Sequence, residues 1–211
     1  MQSVLKPNDG ASWRFAWSVA GPQVGSTAAR LTNGSVTLES RMGLDRLCAI
    51  LLAKIHEQIE RTVHLINVVP ADRLNWTPPI PGAWPVEVLL GHLLECFAGF
   101  CAVLSAVEPE RLAHFAELRT LPVNHACSLA DALSRIALYR THIDDGFALL
   151  VDSNLSKSVS TVFVNDGESL LTLLLGNLEH LVNHKHQLFT YLKEMGLDVD
   201  TRDLYQFRGE A

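Results

Sequence analysis

Apolar residues return every three or four positions in four separate segments of this chain, and that spacing leaves little room for anything but helices packed by their apolar faces. The first segment starts at Leu44 and carries Leu47, Leu51, Ile55, Ile59, Val63 and Ile66, ending at Val69-Pro70. The second opens on Pro85, a residue suited to the first helical turn, and carries Val86, Leu89, Leu93, Phe97, Phe100 and Leu104. Ser128 and Asp131 make a capping-box-like start for the third, which continues through Leu129, Leu133, Ile136, Ile143, Phe147 and Leu150. The fourth runs from about Ser169 to Met195 with Leu170, Leu174, Leu178, Leu181, Leu188 and Leu192, and Gly196 stops it.

What lies between the helices is equally legible. The Trp76-Thr77-Pro78-Pro79-Ile80-Pro81-Gly82 stretch cannot be helical, because each proline removes a backbone donor and pushes its predecessor toward extended geometry. A short helix is expected within Pro109 to Leu118. Between 154 and 168, Val159, Thr161, Val162, Phe163 and Val164 are strand formers and Asp166-Gly167 is a turn signal, so a short extended or hairpin excursion is expected. The fold class is therefore all-α, a four-helix bundle over residues 42–200. Residues 1–41, rich in Gly, Ser, Thr and Asn and anchored only by Trp13 and Trp17, read as an irregular N-terminal extension, and 201–211 as a polar C-terminal tail. Met42, where the helical pattern begins, is a candidate translation start that mass spectrometry of the natural protein would decide.

Composition removes several function classes. A formal charge of −6 without a basic cluster offers no electrostatic footprint for nucleic acid. Glu87, His92 and Glu95 interrupt the most apolar segment, so no membrane span is expected, and no signal-peptide pattern is seen. The four cysteines, Cys48, Cys96, Cys101 and Cys127, fall in apolar stretches without C-x-x-C spacing, as buried thiols of a cytoplasmic protein would.

Nine histidines are present. His56, His64, His114, His125 and His142 are scattered and read as surface or core-edge residues. His180 and His184 differ, because four residues along a helix return a side chain to the same face, about 5–6 Å away and within reach of one metal ion. His92 lies beside the apolar stripe of another helix, where an imidazole must find a partner. Leu181 follows His180 where a zincin-type peptidase needs Glu, which removes that reading.

Leu74-Asn75-Trp76-Thr77-Pro78, then Pro81-Gly82-Ala83-Trp84-Pro85, then Leu89-Leu90-Gly91-His92-Leu93 resembles the DinB-like (YfiT-like) metalloenzyme family. The closing Glu179-His180-Leu181-Val182-Asn183-His184-Lys185-His186-Gln187-Leu188, with Tyr191-Leu192 and Gly196, resembles that family's H-x-x-x-H-R-G-Q-L motif, so the likeness spans about residues 44–200. It implies a four-helix bundle, a homodimer, and one divalent metal ion on His92, His180 and His184, with zinc, nickel, iron and manganese not distinguished. Pro85 stands where the family has serine and Lys185-His186 where it has Arg-Gly; neither change removes a ligand. His186 sits about 200° around the helix from His184 and should point away from the metal.

Three neutral imidazoles leave a coordination position open, as catalytic sites do. The resemblance implies metal-dependent transfer of a low-molecular-weight thiol onto small electrophiles, with a metal-dependent hydrolase and a non-catalytic, metal-stabilised stress-response or binding protein as competing readings. Glu95, one turn after His92, is a candidate proton acceptor or ligand-orienting group. Asn177 and Gln187 share the histidine face and, with Tyr191 one turn further, are candidates for contacting ligand nitrogens or a small-molecule substrate.

Overall fold

The computed structural model describes residues 46–160 and 166–205, and in it the four periodic segments form four long helices: α1 (Arg46–Val68), α2 (Val86–Val107), α3 (Leu129–Phe147) and α4 (Leu170–Glu194). The all-α bundle read from the periodicity is what forms. Residues 1–45, with Trp13, Trp17, Met42 and the expected helix start at Leu44, lie outside the described residues, as do 161–165 and 206–211.

Helix α2 packs against α3 and α4, and α1 packs against the same two, so α1 and α2 sit diagonally across the bundle. Contacts along the seams give the directions. Cys101 Sγ faces the Tyr139 carbonyl and Leu104 lies against Gly146, which makes α2 and α3 parallel. His92 meets His180 and His184 while Gly99 meets Asn177, so α2 and α4 are antiparallel. Two helices that follow one another in sequence and run parallel need a connection that returns along the bundle. Residues 108–128 make that return, through a 3-10 helix at Ala113–Thr120, slightly beyond the short helix expected there. Buried Phe115 and Leu118 tack it to the core.

Every residue of the α2 stripe read from the sequence is buried, and so is most of the rest of that helix. One premise of the sequence reading is corrected here: Glu87, His92 and Glu95 do not break the apolar run, because the other residues of Val86–Val107 are apolar enough to leave a helix that could cross a membrane by length and composition. Most of its apolar surface is covered by the rest of the chain, which makes it the core helix of the bundle.

The start of α1 depends on a distant residue: the Leu47 and Cys48 amides donate to the Asp152 carboxylate at 3.0 and 2.8 Å. Those backbone hydrogen bonds hold the Asp152 carboxyl below the usual range, outweighing the upward effect of desolvation. Cys48 takes the first core position of α1, while Leu47 is 41% exposed although the stripe began with it. Helices α3 and α4 begin as their sequences suggest, with the Ser128 and Ser169 hydroxyls accepting from the Asp131 and Thr172 amides.

Between α3 and α4, β1 (Ser158–Val159) pairs antiparallel with β2 (Glu168–Ser169), the expected hairpin. Gly167 closes on it at φ +82°, where a Cβ would lie 2.2 Å from the Ser158 hydroxyl. Residues 201–205, expected only as polar tail, form a short helix, α5 (Thr201–Tyr205), whose Leu204 is buried against the bundle.

Candidate metal centre

The start of α2 is pinned by the two loops that precede and follow it in space. The Val86 and Glu87 amides donate to the Trp76 and Leu74 carbonyls of the proline-rich loop at 3.0 and 2.9 Å. From the other side, the Asn124 and Cys127 amides donate to the Gly91 and Glu87 carbonyls at 3.0 and 3.1 Å. This approach needs a glycine, because a Cβ on residue 91 would stand 1.8 Å from the His125 carbonyl oxygen. The loop thus lies directly over the backbone that carries His92.

His92 points across the α2–α4 seam at the two histidines of α4. Its Nε2 is 3.2 Å from Nε2 of His180 and 3.0 Å from Nε2 of His184. Nitrogens bound tetrahedrally to one cation at about 2.0–2.1 Å are about 3.3 Å apart, so His92 already stands from each of the other two at the spacing a shared ion requires. The three residues could hold a metal ion, and they form the metal-competent histidine cluster among the described residues.

Partners on the far ring nitrogens select the donor atoms. His184 Nδ1–H donates to Gln187 Oε1 at 2.9 Å, and the Gln187 amide donates in turn to the Tyr191 hydroxyl at 3.1 Å. Tyr191 is braced edge-on by Trp76, with ring centroids 5.6 Å apart. His92 Nδ1–H donates to Asn124 Oδ1 at 2.6 Å. With both Nδ1–H groups committed to oxygens, neutral His92 and His184 turn Nε2 lone pairs toward each other, an arrangement that a shared proton or cation must bridge.

Glu95 supplies the negative charge. It is 1% exposed, Oε2 lies 3.2 Å from His92 Nδ1, and neither carboxylate oxygen is aligned for a hydrogen bond among the described residues. A desolvated carboxylate with no donor is costly unless positive charge stands nearby, and the histidine cluster one turn away is where a cation would stand. The charge state of the three imidazoles differs accordingly. Burial lowers His184 to about 4, helped by its two histidine neighbours and opposed by the Gln187 hydrogen bond. Burial and His92 also lower His180. At His92 the downward pull of burial is outweighed by Glu95 and the Asn124 hydrogen bond, so this imidazole is raised.

Trp84 lies against the cluster, an indole 38% exposed whose ring centroid is 4.8 Å from His92 and 6.1 Å from His184, inclined 27° to the latter. The sequence motif includes Trp84 without assigning it a role, and no pattern in the sequence points to Asn124. Nothing local signals Asn124, since its contact spans 32 residues and depends on a turn. Its φ of +57° is one that Asn tolerates better than most side chains.

The remaining sequence candidates sit as follows. Glu95 faces the Nδ1 edge of His92 rather than the Nε2 cluster. Asn177 is buried against Gly99, further along α2 from His92. Gln187 and buried Tyr191 are engaged in the chain that ends on His184. His186 is exposed and stacks near Phe189. The five scattered histidines each lie beside a carboxylate: His56 by Asp144, His64 by Asp203, His114 by Asp145, His125 by Asp131 and His142 by Glu117. All four cysteines are buried.

A helical bundle with a three-histidine cluster between two antiparallel helices is the class that fold and site define. The DinB superfamily model matches residues 54–194, and the chain belongs to that superfamily. Among solved structures it is similar to the DinB-like protein YjoA from Bacillus subtilis, at 19% identity and a TM-score of 0.55, covering 75% of this chain and 98% of that one. At that identity the likeness speaks for the fold. A comparison with curated proteins gave no match.

Proposed function

We propose that this protein holds one divalent metal ion on His92, His180 and His184 and uses it to transfer a low-molecular-weight thiol onto small electrophiles. The observation that carries the reading is the convergence of three Nε2 atoms from two helices, with the Nδ1 edges of His92 and His184 hydrogen-bonded away from the cluster. A bound cation would supply Lewis acidity, favouring the deprotonated form of a thiol or water that reaches it.

The nucleophile has to come from the substrate. Burial pushes the Cys96 and Cys101 thiols far above the usual range and Cys127 to about 11, so these thiols do not ionise near neutral pH. Trp84 offers a flat, half-open wall against which a small electrophile can lie. Glu95 balances charge and Gln187 holds His184 in the tautomer that presents Nε2.

The test is turnover of a small thiol with a chloroaromatic or epoxide electrophile, by protein stripped of metal and then reloaded. Thiol conjugation that returns only on reloading supports the proposal. Metal-dependent ester or amide hydrolysis without conjugation would put the hydrolase reading in its place, and metal-dependent melting without any turnover would leave a binding protein.

A further inference from the structure

We propose that Asn124 is a positioning residue of the metal centre, which accepts the Nδ1–H of His92 and so keeps the Nε2 lone pair of that ring turned toward His180 and His184. The inference rests on the reading that the three histidines hold a cation, and it adds the residue that decides whether His92 can be a ligand.

Histidine can bind through either ring nitrogen, and the hydrogen bond at one selects the other. His184 has Gln187 from its own helix for this purpose. His92 has on its own helix only Glu95, whose nearer oxygen is 3.2 Å from Nδ1 and not aligned for a hydrogen bond. The aligned acceptor is Asn124 Oδ1 at 2.6 Å, brought in from the α2–α3 crossover.

Three features serve this one contact. The Asn124 amide donates to the carbonyl of Gly91, the residue immediately before His92, at 3.0 Å. The absence of a side chain at Gly91 lets the loop descend that far. The left-handed backbone at Asn124, φ +57°, turns the carboxamide back over the imidazole. What the contact needs is an acceptor oxygen, which an amide or a carboxylate at this place would both supply. Without that acceptor, Nδ1–H keeps a hydrogen bond only if the ring swings toward Glu95, and the swing takes Nε2 off the site.

The experiment titrates the full-length protein with Zn²⁺ alone, in competition with a chromogenic chelator. Asn124→Gly keeps the left-handed turn and removes the acceptor, while Asn124→Asp keeps both turn and acceptor. The expected result is about tenfold or greater weakening of zinc binding in Asn124→Gly, near wild-type binding in Asn124→Asp, and similar melting temperatures for the metal-free proteins. Wild-type affinity in Asn124→Gly, or equal weakening in the two variants, would overturn the positioning role while leaving the three-histidine site standing. Failure of the wild type itself to bind zinc would overturn both.

Discussion

His92 and His184 lie 92 residues apart in sequence, yet their Nε2 atoms are 3.0 Å apart, closer than two unprotonated imidazole nitrogens would settle without something between them. The contact follows from antiparallel packing of α2 against α4, and His180, one turn before His184, joins it from the same face.

Substitution separates this face from its neighbour. His184→Ala removes one of three donors and should lower zinc affinity by a hundredfold or more, whereas His186→Ala, on the exposed side beside Phe189, should leave metal content unchanged. Elemental analysis of tag-free protein after dialysis reads both, and equal losses would mean that the ligand face is misassigned.

Gly91→Ala tests the loop that covers the site. The added Cβ meets the His125 backbone carbonyl at 1.8 Å, and backbone cannot swing aside as a side chain can. A loss of about 3 kcal/mol in urea unfolding is expected, at the upper end of typical overpacking costs. An unchanged midpoint would mean that residues 122–127 do not lie on α2.

Proton release should report on His92. Metal binding needs all three imidazoles neutral. His184, at about 4, and His180, also lowered, are neutral near pH 7, but His92 is raised above 6.5 and still carries part of a proton there. Zinc affinity should therefore keep rising with pH past 6.5, with up to one proton released per ion near neutrality. Calorimetry in buffers of different ionisation enthalpy measures that number; a value near two would contradict the assignment. In the metal-free protein His184 links folding to pH in the same direction: from pH 6.5 down to about 4 the unfolded chain binds a proton that the folded one refuses, so stability falls as pH falls.

Away from the metal centre, Lys185 is 2% exposed, donates to Gln58 Oε1 at 2.8 Å, and lies 5.8 Å from the Tyr205 ring of α5. Burial, then the charge of Arg61, lowers it to about 8, with Glu57 opposing. Between pH 8 and 10.5 the unfolded chain holds this proton more tightly than the folded one, so stability from this group should rise with pH in that window. Lys185→Met should melt at an equal or higher temperature at neutral pH and lack that rise. The same rise in both proteins would show that another group causes it.

Much of this was legible because helices carry their burial pattern as a period, and because His180 and His184 share one helix and needed only that period to be paired. His92 was found through its setting and its motif. What pairs residues across connections was not legible. Nothing near Leu47 announces that Asp152 will cap its helix, and nothing near His92 announces Asn124. The parallel run of α2 and α3 depends on the path of residues 108–128, which carry little periodicity. The apolar run of α2 survives Glu87, His92 and Glu95 because its other residues are apolar enough to outweigh them, and the burial of His92 and Glu95 in the bundle is what the sequence does not display.

The central claim is that imidazoles from α2 and α4 converge on one cation. X-ray absorption of the zinc-loaded, tag-free protein tests it most directly. Three imidazole nitrogens at about 2.0–2.1 Å are expected, falling to two in His92→Ala. A hydrated ion without histidine scattering, or an unchanged spectrum in His92→Ala, would contradict it.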